Sequence, residues 1–286
     1  MKVEKKYRRK PDWLKIKLPG GANYTRVKEI IRINDLNTIC TSGKCPNSGE
    51  CWNAGTATFM ILGDICTRSC SFCAVKTGKP LLPDPEEPYH IAKSIELMGL
   101  KHVVLTSVDI DDLPDGGVSH WVDTINAVRK LNPEVSMEVL IPDFSGKRSS
   151  LMSIIKLSPE IISHNMETIQ RLTPLIRNRA EYQTSLEVIK CISENGIIAK
   201  SGLMLGLGEK IEEVTVLMED LLGVGCSVLT IGQYLQPSIS QLDVVEYVHP
   251  NIFESLKEIG LEMGFVFVES SPLVRSSYHA EKHVIL

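Results

Sequence analysis

The chain is 286 residues long, enough to bury one large core or two small ones. Its 43% hydrophobic and 23% charged residues are those of an ordinary soluble globular enzyme. A net charge of −4 excludes a nucleic-acid binder that works through bulk positive charge, and no apolar run approaches the roughly 18 residues that a membrane span needs.

The first 17 residues carry eight Lys or Arg but no apolar stretch of the kind a signal peptide has. The expectation is a cytoplasmic, reducing location, where clustered cysteines serve as metal ligands or catalytic groups more often than as disulfides. The charge run reads first as a solvated arm; docking through Lys5, Lys6, Arg8, Arg9 and Lys10 is the functional alternative. Residues 22–55 show no sustained periodicity apart from a short amphipathic piece at 27–34. From about residue 57 short apolar runs alternate with helix-like stretches. Strands are predicted at 58–62, 102–106, 136–141, 160–163, 197–205 and 227–231. They are rich in Ile, Val, Leu and Met and seldom alternate with polar residues, as strands buried on both faces of a parallel sheet do.

Helices are predicted between them at 88–98, 119–131, 148–156, 182–195 and 210–222. A sixth, at 251–263, precedes a short apolar run at 265–268. Pro88 suits a first helical position. Gly99, Gly196, Gly223 and Gly264 stand where left-handed caps are wanted. Six strand–helix units with right-handed crossovers make an open doubly wound sheet or a barrel. Polar residues cluster just after the strands: Ser107 and Asp109, Asp143, Asn165 and Glu167, and Gln233, Tyr234 and Gln236. Groups from many strand ends that converge on one mouth favour the barrel. The expected fold is therefore α/β, an incomplete (β/α)6 TIM-like barrel over 56–250. Extensions at 1–55 and 251–286 flank it.

Six of the eight cysteines fall within 34 residues. Cys40, Cys45 and Cys51 form C-x4-C-x5-C. Cys66, Cys70 and Cys73 form C-x3-C-x2-C directly after the first predicted strand, on a loop at the mouth of a barrel. Each triplet has one thiolate fewer than a closed four-cysteine site, and the open position is where chemistry can occur. Zinc is disfavoured at the second triplet, because no fourth Cys or His lies at knuckle distance. A four-iron cluster with one open iron fits better. Cys191 and Cys226 stand alone in apolar surroundings and read as small buried hydrophobes.

C-x3-C-x2-C with Phe72 before the last Cys resembles the signature of the radical S-adenosylmethionine (SAM) superfamily. That resemblance implies a [4Fe–4S] cluster whose open iron chelates SAM, and reductive cleavage of SAM to a 5′-deoxyadenosyl radical, chemistry that no side chain supplies. The two triplets together resemble the lipoyl synthases from about Arg9 to Ala280. The resemblance includes Arg9-Lys-Pro-Asp-Trp-Leu14, Cys45-Pro-Asn47, Gly55-Thr-Ala-Thr-Phe-Met-Ile-Leu-Gly63, Thr106-Ser-Val-Asp109 and His164-Asn-Met-Glu-Thr168. It continues with Lys200-Ser-Gly-Leu-Met204, Gly206-Leu-Gly-Glu209, Thr230-Ile-Gly-Gln-Tyr-Leu-Gln-Pro237 and Arg275-Ser-Ser-Tyr-His-Ala280. It implies insertion of sulfur at C6 and C8 of an octanoyl group on a lysine of a lipoyl carrier protein. It further implies a second [4Fe–4S] cluster as sulfur source, held by Cys40, Cys45, Cys51 and Ser277. An electron donor such as a flavodoxin or ferredoxin and an iron–sulfur cluster carrier are implied partners.

Spacing alone does not single out Ser277; without the resemblance, Arg275-Ser-Ser-Tyr278 reads as a cap or a surface turn. Asn165 and Glu167 match a motif of the SAM-binding region, against a role in a cap or a surface ion pair. Thr106, Ser107 and Asp109 are further candidates on the SAM side, and Arg177 is suited to meet a carboxylate bidentately. Asn178-Arg-Ala-Glu-Tyr182 departs from the Pro-Gly-Ala-Asp-Tyr common in the family, which leaves the loop shape and the role of Arg177 open. Three features are set aside. Asp109, Asp111, Asp112 and Asp115 resemble a calcium loop only loosely, since Pro114 occupies the glycine position. Gly206-Leu-Gly208 lacks the third glycine of a dinucleotide fingerprint. Met60, Met204 and Met218 read as core. The rival functions are a biotin-synthase-like sulfur-inserting enzyme and a non-enzymatic iron–sulfur electron carrier or sensor.

Overall fold

Each apolar strand pairs with the one before it. The computed structural model describes residues 9–16, 19–53 and 56–285. Helices α1 (Ala22–Ile33), α2 (Ile39–Ser42) and α3 (Ser48–Asn53) precede β1 (Thr58–Ile61). Two short strands, β2 (Ile65–Cys66) and β3 (Lys76–Thr77), pair with each other and frame the second cysteine loop. Then follow α4 (Glu87–Met98), β4 (His102–Ser107), α5 (Val118–Leu131), β5 (Ser136–Leu140), α6 (Arg148–Ile155) and β6 (Ile161–Ser163). The chain continues with α7 (Thr173–Ile176), α8 (Tyr182–Glu194), β7 (Ile198–Leu205), α9 (Ile211–Gly223), β8 (Val228–Gln233), α10 (Pro250–Met263) and β9 (Phe267–Ser270). A 3-10 helix at Ala280–Ile285 closes the described chain.

The main sheet is parallel throughout, in the order β1-β4-β5-β6-β7-β8-β9. A doubly wound sheet reverses its strand order at a switch point; this one never does. The winding is that of a barrel, and β1 and β9 do not pair, so the barrel is incomplete. All four residues of β1 and all six of β8 are buried, as their mainly apolar character predicts.

Three details differ from the sequence reading. A seventh strand, β9, extends the six; its four residues include Glu269, and the apolar run at 265–268 only overlaps it. The piece at 27–34 belongs to a twelve-residue helix, α1, which buries Val27 and Ile31. The left-handed residue after α9 is Gly225, not Gly223, because the helix runs through Gly223 before it turns. Gly99, Gly196 and Gly264 do take positive φ at 66°, 75° and 116°. Cys191 and Cys226 are buried at 3% and 2% exposure.

Alternate strand residues face the barrel interior, and the mouth end of that face carries small or neutral groups such as Thr106, Leu140, Gly202 and Thr230. The base is charged. Lys200 on β7 is fully buried and its Nζ lies 2.8 Å from Glu138 Oε2 on β5. Ser163 Oγ on β6 donates to the other Glu138 oxygen at 2.7 Å, and Lys200 Nζ also donates to His283 Nδ1 at 3.2 Å. Two charges out of water persist only when each is met. Lys200→Met should therefore lower the unfolding free energy by about 3–5 kcal/mol, because Glu138 is left buried and unpaired. Adding Glu138→Leu should recover most of that loss. Denaturant unfolding checks both, and an unchanged midpoint in the single variant would mean that the pair is solvated.

Candidate active site and cysteine centres

The second cysteine loop leaves β1 through a left-handed turn, Leu62 (φ 68°) and Gly63 (φ 83°). Glu87 steadies that turn, accepting from the Leu62 N–H at 2.8 Å and lying 2.6 Å from His120 Nε2. Cys66 ends β2. Its sulfur accepts from the backbone N–H groups of Arg68 and Asp109, each at 3.4 Å. The loop is fixed by Arg68, whose side chain is 6% exposed. Arg68 forks onto Asp111 through Nε and Nη2, both at 2.9 Å. It forks again onto Asp143 through Nη1 at 2.9 Å and Nη2 at 2.7 Å. Burial alone would raise the Asp143 carboxyl, but the Arg68 hydrogen bonds and charge hold it below the usual carboxylate range. Asp109 lies 3.5 Å from Arg68 Nε and has no such fork; burial lifts its carboxyl to about 6.

The three thiols line one wall of a cavity of about 560 Å3. Thr106, Ser107 and Asp109 from the end of β4 line it too, with Asn165 and Glu167 after β6 and Arg177 after α7. The Ser107 hydroxyl and the Asn165 carbonyl oxygen are buried there without a protein partner. Asn165 Nδ2 donates to Glu167 Oε1 at 3.0 Å. Glu167 itself takes the left-handed conformation (φ 64°), and its N–H returns to Gly202 O on β7 at 2.9 Å. Gly202 is required beneath it: a Cβ there would meet Thr230 Oγ1 at 2.5 Å and Asn165 Oδ1 at 3.0 Å. Thr106 Oγ1 donates to Leu140 O at 3.2 Å.

Arg177 does not fork onto a carboxylate. Its Nη1 donates to the carbonyls of Asn165 (3.1 Å) and Met166 (3.2 Å) and to Ser185 Oγ (3.3 Å). The chain of bonds continues from the Ser185 hydroxyl to His164 Nε2 (3.0 Å) and from His164 Nδ1 to Ile141 O (2.9 Å). Burial and the Arg177 charge push His164 down to about 4, so the ring is neutral and this order of donors is self-consistent. Arg177 thus braces the turn that carries Asn165. Met60 and Met218 are buried in the core, as the sequence suggests, and Met204 packs against it half-buried; Met60 and Met204 also line the cavity.

The first triplet sits beside the same cavity, and Cys45 lines it. Cys40 lies on α2, which Thr38 caps, and Cys51 lies on α3. The C-terminal segment crosses this triplet. Asn47 Nδ2 donates to Leu273 O at 2.7 Å, and Tyr278 Oη to Glu50 Oε1 at 3.0 Å. Ser277 lies between those two anchors, and among the described residues its hydroxyl makes no protein hydrogen bond. The half-buried Arg275 guanidinium is within electrostatic reach of both Cys45 and Glu167.

Six thiols are held in two groups, each felt by its neighbours. Burial and the charges of Cys40 and Cys45 push Cys51 up to about 12. Burial pushes Cys70 up to about 12 against the pull of Arg177, and Cys73 up to about 11. Among the described residues no three His, Cys, Asp or Glu side chains converge on a single ion. Soft thiols set back from bulk solvent (Cys40 buried, the other five half-buried) that repel one another as thiolates fit iron–sulfur clusters.

The sequence matches the family model of the radical SAM superfamily over residues 60–221 and that of the N-terminal domain of lipoyl synthase over residues 1–45. A lipoyl synthase of Treponema denticola is 61% identical over 277 residues, covering 97% of this chain and 96% of that one. One from Phocaeicola vulgatus is 59% identical over 276 residues, covering 96% and 97%. The chain belongs to the lipoyl synthase family. Lipoyl synthases are radical SAM enzymes that insert sulfur, and with the family come a [4Fe–4S] cluster and SAM. The fold agrees. The crystal structure of methylornithine synthase superposes with a TM-score of 0.58 at 11% identity, over 87% of this chain and 85% of that one. Streptococcus suis SuiB bound to S-adenosylmethionine gives 0.59 at 10%, over 79% and 55%.

In this lipoyl synthase fold, sequence reasoning missed Arg68 and Arg275 and set Asp111 aside as part of a false calcium loop. Arg68 lies inside the cysteine spacer, so its position offered a clue, but its burial depends on acids from two other strand ends. The loop at 178–182 lies against the cysteine loop: Asn178 Nδ2 donates to Ser69 Oγ at 3.0 Å, and Arg179 Nη1 lies 3.5 Å from Asp111. A raised pKa keeps a thiol protonated through the neutral range and delays its reactive form. In the reduced, metal-free chain, alkylation of Cys73 should therefore rise about tenfold per pH unit up to about pH 11, whereas an unperturbed thiol levels off at about 8.5. Peptide mass spectrometry reads this, and a plateau at the lower value would contradict the burial assigned to the triplet.

Proposed function

We propose that this chain inserts sulfur at C6 and C8 of an octanoyl group carried on a lysine of a lipoyl carrier protein. In this reading Cys66, Cys70 and Cys73 hold the cluster that binds SAM. Cys40, Cys45, Cys51 and Ser277 hold a second [4Fe–4S] cluster. When bound, the first centre supplies the electron for SAM cleavage and the second supplies sulfur. The observation that carries the proposal is one shared cavity: Cys45 and the whole second triplet line it together, so both centres would face one substrate.

The chain's own residues have separable tasks. The N–H groups of Arg68 and Asp109 support Cys66 as a thiolate. The Ser107 hydroxyl and the Asn165 side-chain oxygen, buried without a protein partner, offer polar atoms to SAM. Thr106, Asp109 and Glu167 add further polar groups on that side, and Arg177 orients the Asn165 turn. Met60, Leu203, Met204 and Val274 give the cavity apolar surface for an alkyl chain. An alkoxide is harder than a thiolate and suits a soft cluster less, so Ser277 is the ligand to be released first. The chain divides functionally into 1–55 and 251–286, which hold the second centre, and 56–250, which holds the first.

The implied partners are an octanoylated carrier, an electron donor such as a flavodoxin or ferredoxin, and a cluster carrier. Of the basic arm, Lys5, Lys6 and Arg8 lie outside the described residues; Arg9 and Lys10 are exposed, and Lys10 lines the cavity.

Anaerobic reconstitution should give about eight irons per chain, and about four once Cys40, Cys45 and Cys51 are changed to Ala. That variant should still cleave SAM under dithionite but form no sulfur product. Ser277→Cys should keep about eight irons while turnover falls. Eight irons in the triple variant, or full turnover in Ser277→Cys, would refute the assignment of the second centre.

A further inference from the structure

The C-terminal 3-10 helix, Ala280–Ile285, sends one side chain into the base of the barrel. His283 is fully buried, its ring edge-on to Phe267 at 4.5 Å between centroids. Lys200 Nζ reaches His283 Nδ1 at 3.2 Å. An ammonium group only donates, so Nδ1 is the acceptor and the imidazole proton sits on Nε2. That Nε2–H is buried with no partner.

A second orphan lies in the same layer. The Ser136 hydroxyl donates to Lys101 O at 3.2 Å, so His102 Nδ1, 2.9 Å from Ser136 Oγ, carries the proton of its ring. His102 Nε2 is then a bare acceptor, buried and also without a partner. Burial first, then the Lys200 charge and then His102 hold the His283 ring well below its usual basicity. One donor on the tail and one acceptor on β4, each left without a protein partner, are complementary and would be joined by a bridging water. The tail is thus recognised by groups from β4, β5 and β7 together: His102, Glu138 and Lys200.

Upstream, the same tail is fastened at the mouth. Ser271 N–H donates to Ile231 O at 3.2 Å, and Gln233 N–H to Pro272 O at 3.1 Å. The Leu273 carbonyl and the Tyr278 hydroxyl meet the first cysteine loop. Ser277 therefore lies on a strap pinned at one end in the barrel base and at the other beside the thiols.

We propose that His283, gripped by Lys200 and complemented by His102, is a positioning residue that seats the C-terminal strap and so keeps Ser277 against the first cysteine triplet. The inference rests on the reading of Ser277 as the fourth ligand. Two readouts separate them. In the metal-free chain, hydrogen exchange at residues 273–280 should quicken at least about tenfold in His283→Ala and return close to the natural rate in His283→Asn, whose amide oxygen gives Lys200 an acceptor. In the reconstituted protein, loss of half the iron to a chelator should quicken about tenfold in His283→Ala, the low end for groups that orient a ligand without touching the metal. The other half should leave at its usual rate.

Should His283→Ala fail to fold, His283→Phe fills the space without offering an acceptor, and the same loosening is expected of it. Unchanged exchange at 273–280, or His283→Asn as loose as His283→Ala, overturns the proposal. If Ser277→Ala holds all its iron as firmly as the natural chain while His283→Ala still loosens the strap, the seating role stands and the ligand role of Ser277 falls.

Discussion

One buried guanidinium holds the reactive loop in place. Arg68 makes two forked contacts, to Asp111 and Asp143, at 2.7–2.9 Å while almost fully buried. A loop with three thiols has little apolar surface of its own with which to dock. Charge-assisted bidentate bonds supply both the attachment and a fixed orientation. The arrangement also has a cost. Three carboxylates surround one cation, and the one left without a fork, Asp109, is lifted to about 6. That carboxyl lies beside the Cys66 sulfur, with Oδ2 3.9 Å away, so the local field resists a lone thiolate. Cationic charge delivered with a cluster would relieve the three thiols and the three carboxylates together.

The second constraint is closure of an incomplete barrel. Seven strands leave the edges of β1 and β9 apart. The chain after β9 returns across the interior face, and the approach is close enough that a Cβ on Gly232 would collide with the Val274 carbonyl. A glycine there, in the middle of a fully buried strand, is otherwise unfavourable. It makes sense as the place where another backbone passes. The strap also carries Arg275 to the cavity wall, where its charge is felt by Cys45 and by Glu167.

Legibility from sequence followed the range of the interactions. β1, β4, β5, β6, β7 and β8 are readable because their apolar residues are buried on both faces, even where Glu138 and Lys200 interrupt β5 and β7. β9 is not, since Glu269 interrupts it and its pairing with β8 is what makes it a strand. α1 was read only over part of its length, because Ala22 to Arg26 show no apolar spacing and are fixed by context. The spacing of the second triplet by itself suggests an open cluster site, and the structure brings its three thiols to one cavity. The Arg68 forks were not legible, since they join residues 43 and 75 positions apart. Asp111 was discarded for failing one local pattern while it served a non-local one. Ser277 came only from resemblance, as its neighbours in space are about 230 residues away in sequence.

The loop at 178–182 shows how a departure from the family pattern is absorbed. A Pro-Gly pair fixes a turn through its own backbone preferences. Asn178-Arg179 has no such preference and uses side chains instead, one on Ser69 and one toward Asp111. The Arg179 side chain is 57% exposed, so its ion pair contributes little energy. Its effect is on charge: a second cation faces Asp111, which Arg68 already holds. The loop's shape is thereby tied to the cysteine loop, and Arg177 remains buried behind it, bonded to the Asn165 turn. In a chain with Pro-Gly the turn would hold itself; here the cysteine loop and this turn hold each other.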